Sequence, residues 1–509
     1  MDTLYLCILL LVLAWSIFNK YLITKIKNLP PTPLSALTVI GFRTIFKQPI
    51  HQTLSYIANR HGPILLLRFG CRLVLLISSE SAAEDLFTNN DVVFAHRPKL
   101  IPAKVFGCNY TNLAWVPHGA HWRHLRRVSC LEILPFHRKP DQQDLLGDEV
   151  KELLRRLYCN NKVLVNLKPM FLDLVFNVMM RIFAGKSVLD RYCQKKTTEE
   201  GETNEPISLL EYATRSFKMT TGETDLIYFM PILKLLGVTD LEQRCTQMQR
   251  KGDSLLNNLL EEIREKSNDG LCQKEEKVIQ ILLEKQREDP KHYSDEIIKG
   301  LVQVSLSAGT DSSAGTLEWA FSLLLNHPEV LQKAQNEIDN YVGKDRFLKQ
   351  SDIDHLPYLR CIVKEAMRLY PVAPLLVPHE SSKDCKVGGY HVPKGTMLMV
   401  NAWAIHNDPN TWKEPTKFKP ERFEEIVDER NGFRLMPFGY GRRSCPGKHM
   451  AVRVITLALG SLIHCFEWER VSEEMVDLTE QTGIALFRDK PLMAICHPRS
   501  LMDNLLAQI

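Results

Sequence analysis

The sequence predicts a mainly helical protein with small β-sheets, folded as one large domain behind an N-terminal membrane anchor. Three observations lead there. Long stretches, above all Leu145 to Leu260 and Ser294 to Asn326, carry helical apolar patterns. Strand-like runs are short and lie near the two ends, at Pro63 to Ile77 and Asp477 to Pro498. The 509 residues contain no low-complexity linker or internal repeat to divide them, although length alone would allow about three domains.

Composition narrows the class. Hydrophobic content of 45% and charged content of 24% are ordinary for a globular chain. A net charge of +4 is too small to imply nucleic acid. The 13 cysteines are odd in number and include no C-x-x-C pair. That argues against a disulfide framework or a zinc site and for a reducing compartment.

Leu4 to Phe18 is almost wholly apolar and the pattern trails to Ile23, just adequate for a span of roughly 20 residues. Asp2 precedes it, and Lys20, Lys25 and Lys27 follow. A cleaved signal would carry its positive charge in front. The observed bias keeps the C-terminal side in the cytosol. Residues 1–27 are therefore read as anchor and basic flank, 28–41 as a proline-rich hinge and 42–509 as the single large domain. In the hinge, Leu29-Pro-Pro-Thr-Pro33, the prolines lack the N–H that would continue a helix.

Further along, Trp122 and Arg126 are four apart and share a helix face. Ser294-Asp-Glu296 is a helix start, with a capping residue type and acids in the first turn. The helix it opens would be roughly 48 Å long at 1.5 Å per residue. Its middle, Ala308-Gly-Thr-Asp311-Ser312-Ser313, places glycine, an acid and hydroxyls where apolar residues belong. Such groups loosen the backbone ladder and hold water; a plain polar kink is the structural alternative. Pro357 to Leu369 is a helix between prolines, with Glu365 and Arg368 three apart on one face. Near the end comes Phe438-Gly-Tyr-Gly-Arg-Arg-Ser-Cys445-Pro-Gly447, with a helix from about Lys448. Glycines 439, 441 and 447 permit unusual dihedrals. Backbone N–H groups and a helix N-terminus aimed at one sulfur stabilise a thiolate, the metal-binding form of cysteine. A free thiol in a surface turn is the alternative.

The spacing Phe438, Gly441, Arg443, Cys445, Gly447 resembles the haem-binding loop of the cytochromes P-450. The resemblance covers Leu29 to about Pro498 and is strongest to plant microsomal members of specialised metabolism. It implies haem b ligated by Cys445, with Phe438 and Arg443 in the loop and Trp122, Arg126 and His379 at the haem propionates. Asp311 and Ser312 would govern proton delivery; Ser312 stands where threonine is usual. Glu365, Arg368 and Arg422, the last in Pro420-Glu-Arg422-Phe423, would form a buried support for the loop. Phe106, Ser305, Ala308, Ala373, Leu375, Leu376 and Ile484 would line the substrate chamber, within wider walls at 105–110, 217–229, 301–305, 372–377 and 482–487. The implied partners are NADPH–cytochrome P-450 reductase, with cytochrome b5 as a second donor, a lipid bilayer and a small lipophilic substrate. Arg123, Arg127, Lys448 and Arg453 would form the basic docking face. The implied location is the endoplasmic reticulum membrane, single-pass, with the catalytic domain in the cytosol. The implied reaction is O2- and NADPH-dependent oxidation of a phenolic (flavonoid, isoflavone, lignan or aromatic polyketide) by hydroxylation or oxidative phenol coupling. A terpenoid hydroxylase, a haem-thiolate isomerase or dehydratase using no O2, and a non-catalytic haem sensor remain as alternatives.

Overall fold

The structure is a computed structural model that describes residues 28–33, 49–70, 72–134, 140–159, 163–185, 207–221, 240–268, 277–424 and 432–509. The apolar run Leu4 to Ile23 lies outside the described residues, as do hinge residues 34–41, the polar break at 194–204 and chamber-wall residues 222–229. Among the described residues no helix is long and apolar enough to cross a membrane.

The first half alternates short sheet elements with helices. Helix α1 (Ile50–His61) leads into β1 (Ile64–Phe69) and β2 (Arg72–Ile77). Then come α2 (Glu80–Asn89), α3 (Ile101–Val105), α4 (Ala120–Val128), α5 (Pro140–Cys159), β3 (Leu164–Asn166) and α6 (Leu167–Ala184). Helices α7 (Leu209–Thr221), α8 (Asp240–Asn268) and α9 (Val278–Glu288) precede the long α10 (Asp295–Asn326). The second half holds α11 (Pro328–Val342), α12 (Pro357–Leu369), β4 (His379–Glu380), β5 (Cys385–Val387), β6 (Tyr390–Val392) and β7 (Met397–Val400). It closes with α13 (Ala402–His406), α14 (Lys448–Cys465), β8 (Phe466–Glu469), β9 (Met493–Pro498) and α15 (Asp503–Leu506).

Helices dominate, and the sheets are small. One has the order β1-β2-β7-β4, a second β3-β9-β8, and β5-β6 is a hairpin. β2 and β7 are parallel, so the start of the domain is tied to residues more than 300 positions later. The proline segment lies along this sheet, with the Leu66 N–H donating to the Pro31 carbonyl at 3.0 Å.

α10 runs through the main core. Its C-terminal half, from Ser313 to Asn326, is entirely buried. Phe321 meets Phe171 of α6 edge-on at 6.2 Å, and Trp319 stacks on Tyr370 at 4.0 Å. Burying such side chains contributes about 2 kcal/mol each. Ser294 is the N-cap in extended conformation, but its side chain makes no capping bond. The predicted loosening around Gly309 is absent: the helix continues through it. A Cβ there would approach the Met179 side chain to 3.1 Å, so glycine serves close packing on α6. The nine cysteines among the described residues are all free thiols.

Candidate active site

The Cys445 loop is built by two tight turns. Gly439 and Gly441 both have φ +69°, a region that β-carbons resist. The third glycine is different: Gly447 has φ −88°, which any residue adopts, and a Cβ there would lie 3.9 Å from the Cys445 sulfur. That is an ordinary contact distance, so neither a left-handed dihedral nor a close approach requires glycine at 447. The Cys445 N–H donates to the Phe438 carbonyl at 2.9 Å and closes the loop. The N–H groups of Gly447 and Lys448, at the start of α14, donate to the sulfur. Burial pushes the thiol upward, while these two bonds and Arg126 pull it down. Cys445 nevertheless has an exposed surface although it lies deep in the fold, so its sulfur faces an internal opening.

α10 lines the other side of that opening. In the middle of this buried helix, Ala308 is exposed and Ser305 and Ser312 are half-buried. The three fall on one helical stripe. The Ser312 hydroxyl donates to the Ala308 carbonyl at 2.6 Å. Asp311, beside it in sequence, is buried, its Oδ2 has no partner, and burial raises its pKa to about 7 against a weaker opposing pull from Lys218 and Lys168.

A cluster of cations borders the opening. Arg126 donates to the Ser444 carbonyl at 2.6 Å, joining α4 to the cysteine loop. The Arg443 guanidinium lies 4.8 Å over the Trp122 ring and donates to the carbonyls of Ala95, Leu113 and Val116. Arg97 donates to the carbonyls of Ala114, Val377 and Pro378 at 3.1, 2.7 and 2.7 Å. Its charge feels Arg443, and Arg443 in turn feels Arg126; no acid contributes. Burial and this crowding push Arg443 down to about 10. His379 donates from Nδ1 to the Phe94 carbonyl at 2.7 Å and is held neutral by burial and Arg97. Buried charge without a counter-charge is costly. The cluster therefore fits an anionic group, and the carboxylates of a haem b held by Cys445 would meet that need. A carboxylate near His379 would also favour its charged form.

The support beneath the loop is a buried triad. Arg368 grips Glu365 through two bonds, at 2.7 and 2.8 Å, and both side chains are 0% exposed. Arg422 Nε donates to the same carboxylate at 2.9 Å. Arg368 also donates to the His406 and Pro415 carbonyls, each at 2.7 Å. His406 completes the link. Its Nδ1 donates to the Arg368 carbonyl at 3.2 Å and its Nε2 accepts from the Met436 N–H at 2.9 Å, two residues before Phe438. Burial and Arg368 push His406 down to about 3, so it stays neutral in this role.

Of the expected chamber residues, Ser305 and Ala308 lie on the open stripe of α10, and Ile484 is half-buried in the C-terminal turn. The Ile484 N–H donates to the Thr221 carbonyl at 2.9 Å, and Leu486 N–H to the Val372 carbonyl at 2.9 Å, drawing α7, the C-terminal turn and the segment holding Ala373 together. Phe217 meets Phe487 edge-on at 6.1 Å, and Phe487 packs against Gly315. Phe106 and Leu375 share one apolar cluster with Met219 of α7. Leu376 departs from expectation: it is 5% exposed and packs into the cluster behind the four-stranded sheet, whereas the neighbouring Val377 is 42% exposed. Its φ of +52° turns it away. Sequence reasoning missed Arg97 and His406. The only local sign of the first is an arginine before Pro98 in an apolar run.

A sequence profile for cytochrome P-450 matches residues 29–496. Cytochrome P-450 81D1 of Arabidopsis thaliana is 43% identical, with 97% of this chain and 99% of the relative covered. The (+)-piperitol/(+)-sesamin synthase of Sesamum radiatum is 42% identical, with 98% of each covered. An isoflavone 2′-hydroxylase of Glycyrrhiza echinata is 40% identical, with 95% of each covered. Among solved structures, a zebra fish cytochrome P-450 with progesterone superposes with a TM-score of 0.73 at 25% identity, over 88% of this chain and 100% of that one. The thiolate loop, the acid-free cation cluster and a family match along nearly the whole chain agree: this chain belongs to the cytochrome P-450 family, as a haem b monooxygenase acting with molecular oxygen and NADPH.

Proposed function

We propose that this monooxygenase oxidises a lipophilic phenolic of plant specialised metabolism, a flavonoid, isoflavone, lignan or aromatic polyketide, by hydroxylation or oxidative phenol coupling. The observation that carries the reading is the chamber wall. Phe217, Val372, Ile484 and Phe487 are apolar, and Ser305 and Ser312 add small hydroxyls on the open stripe of α10. Such a lining suits a flat, neutral aromatic skeleton better than a charged metabolite. The names of the isoflavone hydroxylases and of the sesamin synthase among the relatives support the same class.

Haem b bound through Cys445 supplies the oxygen chemistry, because thiolate ligation makes the iron electron-rich and favours O–O cleavage. The chain's own groups do the rest. Cys445 provides the ligand sulfur, steadied by the N–H groups of Gly447 and Lys448. Arg97, Arg126, Arg443 and Trp122 would hold the carboxylates of that cofactor. Ser312 holds a water on the open stripe by turning its hydroxyl from the Ala308 carbonyl. Asp311 stores a proton near neutrality and returns it to that water.

Residues 1–27 anchor the chain in the endoplasmic reticulum membrane, with the hinge at 28–41 and the domain from 42 in the cytosol. Arg123, Arg127 and Lys448, all exposed, form the reductase-docking face; Arg453 contributes less, being 3.5 Å from Asp354. The test is turnover of a phenolic panel by the full chain in microsomes with reductase, alongside a terpenoid panel. NADPH-dependent products from phenolics are expected. Products from terpenoids alone would overturn the substrate reading, and product formation without NADPH and O2 would point to an isomerase or dehydratase.

A further inference from the structure

Behind the open stripe, on the opposite side of α10, lies a buried polar network that the chemistry above does not use. Gln303 of α10 is 3% exposed. Its Nε2 donates to Gln249 Oε1 of α8 at 3.0 Å and to the Phe106 carbonyl at 3.3 Å. Gln249 Nε2 donates back to Gln303 Oε1 at 3.3 Å and to Asp253 at 2.9 Å. Tyr212 of α7 donates its hydroxyl to Gln249 Oε1 at 3.0 Å. A Cβ at residue 252 would meet the Tyr212 ring at 2.0 Å, so Gly252 makes room for it. One amide pair thus ties the long helix to α7, to α8 and to the chain that carries Phe106.

That last segment is strained. Cys108, Asn109 and Tyr110 have φ of +49°, +56° and +64°, three consecutive non-glycine residues in the left-handed region. L-residues visit it as single residues, not in runs. Such a conformation persists only where its surroundings over-determine it. Local bonds hold it from one side: the Asn109 N–H to the Lys104 carbonyl at 2.8 Å, and the Tyr110 hydroxyl to the Leu100 carbonyl at 3.1 Å. From the other side, α10 meets it twice: Gly300 packs closely on Cys108 and Asn112, and the Gln303 amide donates to the Phe106 carbonyl, while His121 of α4 bonds the Thr111 carbonyl at 3.0 Å.

We propose that Gln303 is a positioning residue: its amide fixes the strained 106–112 wall and the α7–α8 cover against α10, and so sets the position of Phe106 and the size of ligand admitted. The network makes the idea separable from folding. In Gln303→Leu, the Phe106 carbonyl keeps the Asn112 amide as a donor at 3.1 Å. Gln249 keeps Tyr212 and Asp253. No group is left buried and unpaired, so the tether is cut while the core remains satisfied. Tyr212→Phe removes one donor but leaves the Gln303 bonds, and serves as the control.

The test uses haem-loaded full-length protein and needs no knowledge of the natural substrate. Backbone amide exchange over 104–116 should be at least tenfold faster in Gln303→Leu, with exchange in α12 and α14 unchanged and haem content kept. In difference spectra, the ratio of imidazole affinity to clotrimazole affinity should shift at least threefold toward the larger ligand. Tyr212→Phe should change neither readout by as much as twofold. Unchanged exchange and an unchanged ratio in Gln303→Leu would overturn the proposal. So would equal effects in both variants, or acceleration spread across the whole protein, since these describe a merely structural contact.

Discussion

At the scale of single residues, Asp311 and Ser312 are neighbours on α10 with different environments. Ser312 faces the opening with its hydroxyl turned to the Ala308 carbonyl, and lacks the methyl that would restrain χ1 in threonine. Ser312→Ala should keep haem and substrate binding but divert several-fold more reducing equivalents to hydrogen peroxide. Asp311→Asn should slow turnover further, on the order of tenfold, by cutting proton supply. The ratio of product to NADPH consumed checks both, and an unchanged ratio in both variants would remove the pair from the mechanism. Asp311 also makes a stability prediction. Burial raises it to about 7 from an ordinary 3.8. The folded state therefore binds this proton more tightly than the unfolded one, and its contribution falls as pH rises from about 4 to 7 and is flat above. The full effect is on the order of 4 kcal/mol. Melting curves should show Asp311→Asn gaining on the parent across that window; a constant gap would be contrary.

At the scale of elements, a buried triad is linked through His406 to the segment just before the cysteine loop. Glu365 and Arg368 sit on α12, Arg422 comes from a later turn, and His406 at the end of α13 passes the connection to Met436. Removing one member leaves a buried charge unpaired, typically at 3–5 kcal/mol. Glu365→Gln should therefore yield little haem-loaded protein, read as haem absorbance per mole of purified chain. Normal loading would show that the triad is dispensable. The elements differ in how plainly the chain announced them. α10 and α12 begin and end within a residue of expectation, and α14 begins at the expected Lys448, because the first-turn acids of α10, Pro357 and the turn at Gly447 act locally. Gly309 serves close approach to Met179, a partner that composition does not name, and Gly447 needs no left-handed dihedral. Arg97 and His406 were invisible for a related reason. Arg97 takes its place through carbonyls about 280 positions away, and His406 through a helix and a loop on either side of it in sequence.

At the scale of the whole molecule, the fold brings a thiolate loop, a long helix and a cation cluster around one opening, and keeps other cations on the outer surface. Arg123, Arg127 and Lys448 are exposed on α4 and α14, the helices that flank the cysteine loop. Charge reversal at Arg123 and Arg127 together should lower reductase-supported turnover several-fold at low salt, with the deficit shrinking as salt is added. Turnover that ignores both changes would remove the docking face. The central claim is narrower: Cys445, set by its loop beside the acid-free cluster of Arg97, Arg126 and Arg443, holds haem through a thiolate. The carbon monoxide difference spectrum of the reduced full-length protein tests it most directly. The parent should give the Soret band of a thiolate-ligated haem, and Cys445→Ala should give none; a thiolate-type band that survives Cys445→Ala, or a haem-loaded parent without it, would contradict the account.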